Sequence, residues 1–93
     1  MHAVVVSVEI DAERADEARE LLESFTIPMA KGVPGFVSGT WMRSADGTKG
    51  RGVLIFESED GANALASRAA QGPPAGAPVK FVSAEPFEVL AQA

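Results

Sequence analysis

The stretch His2–Ile10, HAVVVSVEI, is apolar at six of its nine positions, on both alternating faces. It is short and rich in β-branched residues, which predicts a strand. Val4, Val6, Val8 and Ile10 share one parity, and Ala3, Val5, Ser7 and Glu9 share the other. Successive strand side chains point to opposite faces, so both faces of this strand need cover. A chain of 93 residues is one domain, because two cores would leave each too little chain. In so small a domain helices cover one side of a sheet. A second subunit is the expected cover for the other.

The rest of the chain supplies those helices. Asp11 is a good N-cap, and Glu13, Asp16 and Glu17 suit the positive end of a helix. Ala15, Ala18, Leu21, Leu22 and Phe25 follow at helical spacing. Pro28 is expected to end this helix or bend its last turn. Gly32, Pro34 and Gly35 mark a loop. Phe36–Arg43 predicts a strand, Ser44–Thr48 a turn centred on Asp46-Gly47, and Gly52–Ser58 the returning strand. Ser58, Glu59 and Asp60 offer caps for a second helix with the stripe Ala62, Leu65, Ala66 and Ala69. That stripe is mostly alanine, so the helix packs closely or leaves space beside it. Residues 71–78, QGPPAGAP, form a loop, and Val79–Leu90 holds the last strand, where Pro86 implies a bulge or an edge. The order β-α-β-β-α-β predicts a ferredoxin-like α+β fold. Its antiparallel sheet has the order 4-1-3-2, with two helices on one face.

Composition narrows the chemistry. The net charge is −5, which argues against nucleic acid as a partner. Seven acids against Arg14 and Arg19 within residues 9–23 account for that whole charge, and read as a solvated helix face. Residues 31–51 carry Lys31, Arg43, Lys49 and Arg51 against Asp46 alone. That cluster either receives an anionic ligand or keeps a short hairpin soluble. The absence of Cys excludes disulfides and thiolate chemistry. The longest apolar runs are about four residues, against roughly twenty for a membrane span. With no secretory pattern at Met1-His2, a cytoplasmic location is expected.

The chain resembles the dimeric α/β-barrel superfamily, and within it the antibiotic biosynthesis monooxygenase-like domains. The resemblance rests on the strand HAVVVSVEI, the acidic helix ERADEARELLESF, the turn and strand VPGFVSGTWMRS, and the return GVLIFESEDGANALA. It covers nearly the whole chain. It implies a homodimer with two sheets packed face to face, and a cleft between helices and sheet in each monomer. In active members the cleft takes a flat aromatic polyketide, a quinol or haem. The polyketide oxygenases need no metal or flavin cofactor, because an electron-rich substrate anion reduces oxygen itself. The chain departs from the family's catalytic patterns. Its first strand has no Asn, residues 59–70 have no His, the only His is His2, and there is no Tyr.

Five residues are candidates for ligand binding. Trp41 either stacks on a flat ligand and offers its indole N–H, or serves as core or interface mass. Arg43 shares its parity, and is either a ligand contact or a surface charge. Ser7 and Thr40 are hydroxyls within apolar strands, there to hold a ligand or to be satisfied in the core. Asn63 opens the second helix as a cap or a contact. His2 is the one side chain that ordinarily titrates near neutrality, and a single His is neither a metal site nor half of a nucleophilic triad. Glu57, Glu85 and Glu88 are acids in strands, and the loop at 71–78 is a connector or a lid. Two functions follow. One is a cofactor-independent monooxygenase-like protein binding an aromatic or polyketide-like molecule in the helix–sheet cleft. The other is a non-catalytic small-molecule-binding or structural homodimer of the same fold.

Overall fold

The computed structural model describes residues Met1–Ala93. Four strands, β1 (His2–Ile10), β2 (Phe36–Arg43), β3 (Lys49–Phe56) and β4 (Val79–Glu88), form one antiparallel sheet in the order β2-β3-β1-β4. This is the expected 4-1-3-2 order read from the other edge, with β1 and β3 central. Val4, Leu54 and Phe56 point to the covered face. There they form one core with Ala30, Val33, Ala62 and Leu65 from the helical segments. No helix is long and apolar enough to cross a membrane.

The first helical arm starts where Asp11 accepts a hydrogen bond from the Glu13 amide at 3.1 Å. A 3₁₀ turn (Ala12–Arg14) leads into α1 (Ala15–Leu21), a π turn (Leu22–Thr26) and α2 (Ile27–Lys31). Pro28 therefore does not end the helix. The Ile27 amide reaches back five residues to the Leu22 carbonyl. This wider turn precedes the proline, whose ring and missing N–H would otherwise break regular α-helix. The same turn corrects the predicted apolar stripe. Its extra residue rotates the register, so Phe25 is 46% exposed, while Thr26 and Ile27 line the inner side.

The second helix, α3 (Glu59–Ala70), is capped by Ser58, whose hydroxyl accepts from the Gly61 amide at 3.2 Å. It packs closely. A Cβ on Gly61 would stand 2.6 Å from the Pro34 carbonyl oxygen and 3.1 Å from the Phe56 ring. The alanine stripe thus closes its side of the domain. In β4, Pro86 is tolerated because the strand lies at the sheet edge. The bulge falls earlier, at Val82, where pairing with β1 shifts between Ser7 and Val8.

Candidate functional site

While α3 lies tight on the sheet, α1 stands away from it. Between α1 and the sheet is a cavity of about 410 Å³. Val6, Val8 and Ile10 of β1 form part of its floor. Ala15, Ala18, Leu21 and Leu22 form the roof, and the π turn adds Thr26. Trp41 closes the side toward β2.

Three strand glycines make room for this arrangement. Gly39 lies two residues before Trp41 on the same face, and Gly52 is its cross-strand partner. A Cβ on Gly39 would sit 2.6 Å from Trp41 Cη2, and one on Gly52 would sit 2.9 Å from Trp41 Cδ1. The indole therefore lies down on bare backbone of two strands. At Gly50 the neighbours are Val8 Cγ2, 2.7 Å from the same construction, and Ile10. None of the three has a positive φ, so the requirement is close approach, not backbone conformation. The Trp41 indole N–H has no acceptor within the chain, and it is not sealed from solvent. It is an unused donor.

The rim is charged. On the helix side Arg19 and Glu23 pair at 3.1 Å, both well exposed. On the hairpin side Arg43 lines the cavity on Trp41's face, whereas Arg51, paired with Ser7 and Met42, directs its side chain to the other face of the sheet; neither makes an ion pair. Arg51 donates to the Gly50 carbonyl at 2.9 Å. Asp46, the only acid of the hairpin, is committed to the turn. It accepts from Ser44 Oγ at 2.7 Å, Thr48 Oγ1 at 2.7 Å and the Thr48 amide at 3.0 Å. Gly47 completes the turn with φ at 77°.

These donors favour the ionised carboxylate. The Thr48 hydroxyl contributes most, then the Thr48 amide and the Ser44 hydroxyl, and Asp46 is held down to about 2. A lowered folded value means the turn's contribution to stability is complete above the ordinary carboxyl value of 3.8. It is lost as the pH falls through about 2. An NMR titration of the Asp46 carboxyl carbon is expected to show its midpoint near 2, with the Thr48 amide shift following it. A midpoint close to 4 would mean that the three donors do not hold the charge.

Of the five residues nominated from sequence, Trp41 and Arg43 line the cavity together. The other three stand elsewhere. Thr40 pairs with Val53, and Ser7 with Arg51 and Ser83, on the sheet face opposite the helices. Their parity is opposite to that of Trp41 and Val6. Asn63 is exposed on α3, whose inner side is taken by Ala62 and Leu65. His2 lies at the far end of β1, beside Phe56 and Glu88. Residues 71–78 do not line the cavity, which reaches only Val79 on that side. The glycines at 39, 50 and 52 and the π-turn residues escaped the sequence reading. Their one signal was glycine at strand positions sharing Trp41's face.

The lining holds no His, Cys or Tyr, and no three His, Cys, Asp or Glu residues cluster anywhere in the chain. A haem would therefore find none of those three usual iron ligands in the cavity.

No protein-family profile and no curated protein matches the chain. Solved structures do. The heme-degrader MhuD of Mycobacterium tuberculosis, solved with two hemes in its active site, is 20% identical. The match covers 100% of this chain and 99% of MhuD, with a TM-score of 0.74. SnoaB, a cofactor-independent oxygenase of Streptomyces nogalater, is 14% identical over 98% of this chain and 95% of its own, at 0.66. The ActVA-Orf6 monooxygenase of Streptomyces coelicolor, solved with nanaomycin D, is 21% identical over 99% and 89%, at 0.63. The chain shares the ferredoxin-like fold of these three solved proteins.

Proposed function

We propose that the chain binds a flat aromatic or polyketide-like small molecule in the cleft between α1 and the sheet. On this reading it acts as a cofactor-independent monooxygenase in the cytoplasm. The observation that carries the reading is the Trp41 indole, laid flat on the backbone of Gly39 and Gly52 beneath a helix that stands off the sheet. A planar ligand sliding in would stack on that ring. The aliphatic walls would keep water from the reacting carbon. Dioxygen is the oxidant and the substrate anion the reductant. Converting a ring CH₂ to C=O consumes one dioxygen and releases one water, so no external electron donor is needed.

One observation favours a second reading, a non-catalytic binding homodimer. Glu23 is the only acidic lining residue, and its carboxylate is already paired with Arg19. The cleft therefore has no ready general base, and proton loss falls to the substrate itself. In both readings a second copy covers the outer sheet face. That face carries Ala3, Val5, Val53 and Ile55 at its centre, with Met42 and Phe87 about half exposed beside them.

Because Trp41 is the only tryptophan, its fluorescence reports on the cleft directly. Titration with a hydroxylated anthrone under argon is expected to quench it. Admitting air should then drive oxygen uptake faster than the anthrone's spontaneous oxidation. By calorimetry, Trp41→Ala is expected to weaken binding about tenfold, since stacking and lost contact area together exceed about 1.4 kcal/mol. Binding without uptake favours the second reading. An unquenched indole counts against both.

A further inference from the structure

Resting on that cleft reading, we infer that the ligand is a planar aromatic ketone, and that Thr26 selects it by donating its hydroxyl hydrogen to the keto oxygen. Among the residues that line the cavity, Thr26 carries the only hydroxyl. Its neighbours on the roof, Leu21, Leu22 and Ile27, are aliphatic. The π turn puts it there. Phe25, the residue before it, is 46% exposed, while Thr26 is half-buried on the inner side. Turning a phenylalanine out and a threonine in runs against apolar burial, so packing alone does not account for it. π turns of this kind recur at functional sites.

The hydroxyl is unspent. A helical threonine or serine can bond the carbonyl three or four residues back. Ser24 does so, donating to the Glu20 carbonyl at 2.8 Å. Thr26 makes no such bond, and the Leu22 carbonyl behind it receives the Ile27 amide instead. No buried side-chain oxygen of the chain lacks a partner, so the unpartnered Thr26 hydroxyl is not sealed off from the cavity its residue lines. The rest of the lining says which role the ligand takes. Arg43, on Trp41's face, can only donate. Glu23, the one carboxylate, stands at the rim with Arg19 at 3.1 Å. A lining with donors to spare suits a ligand that presents an acceptor. A ketone on a flat ring presents one and brings no donor of its own. The ring would lie over Trp41, with its oxygen at Thr26.

The test compares fluorenone with fluorene, in which a CH₂ stands in place of the carbonyl. Affinity is read by Trp41 quenching and by calorimetry. The hydrogen bond is read by the infrared stretch of bound fluorenone, isotope-labelled at its carbonyl. In wild type that stretch is expected below its value in hexane. Thr26→Val keeps the branched shape and removes the hydroxyl. It is expected to lower the ratio of fluorenone to fluorene affinity about fivefold, the size of one neutral hydrogen bond. Fluorene affinity should not fall, and the carbonyl stretch should move up toward its hexane value. Thr26→Ser keeps the hydroxyl and should keep both readouts at wild type. Ser24→Ala removes an exposed hydroxyl two residues away and should change neither. A stretch in wild type equal to that in hexane overturns the inference without any variant, and leaves the cleft reading standing. So does a lowered stretch that Thr26→Val does not move, whatever the affinities do. Failure of both probes to bind wild type overturns the cleft reading and the inference with it.

Discussion

Replacing Phe56 with Ala is expected to remove about 3–5 kcal/mol of folding stability, the usual cost of deleting a buried aromatic ring. Phe56 is fully buried, and closes β3 just before the turn into α3. Its ring meets Phe36 edge to face, with centroids 5.8 Å apart and planes at 78°. It also fills the space left open by the missing side chain of Gly61. Removing it leaves a hole that the tight α3–sheet contact cannot close by collapse. A domain of this size has little reserve, so the loss is a large share of the total. Urea denaturation at a fixed protein concentration measures it, since any dimer would make stability depend on concentration. A loss below about 1 kcal/mol would mean that the core is far more plastic than its packing implies.

The second large effect concerns the opposite face. Val53 is the middle of a cross-sheet row that runs Thr40, Val53, Val5, Glu85. Around it are Ala3, Ile55 and Ser7. If a second copy packs there, Val53→Glu would bury a carboxylate beside Val5 and Ile55, at a cost of several kcal/mol per subunit that Arg51 on the same face offsets only in part. Sedimentation is expected to show wild type at twice the 9.7 kDa chain mass and the variant at the chain mass. The far-UV spectrum of the variant should remain that of a folded chain, because Val53 points away from the core formed with the helices. A wild type that sediments as a monomer would remove the second copy from the proposal. So would a variant that remains a dimer.

Much of the architecture was legible because it follows from local chemistry. The caps at Asp11 and Ser58 form as read, each accepting an amide of the first turn. The Asp46-Gly47 turn was legible from its two residues, though not the number of donors that converge on the carboxylate. The π turn was not legible. Its signal would be Pro28 within an otherwise continuous helical stripe, and either a break or a bulge satisfies that pattern. The choice depends on Ala30 and Val33 finding the core beyond the proline. The site was read only in part. Trp41 and Arg43 share a face by strand alternation, and the structure puts both on the cleft. Ser7 and Thr40 were nominated for their chemistry, while their parity already set them against Trp41.

What the sequence by itself determined is the set of elements and their order in the sheet. Alternation, helical spacing, caps and the hairpin turn are local properties. The right-handed crossover rule then leaves one arrangement of four strands and two helices. Only the tertiary structure decided that α1 stands away from the sheet while α3 lies against it. A cleft is a difference between volumes contributed by distant segments. Here it depends on which side chains α1 sets over β1 and on three glycines that let an indole lie flat. The seating of Trp41 on Gly52 has the same origin. Their eleven-residue separation along the chain becomes adjacency only when β2 pairs with β3.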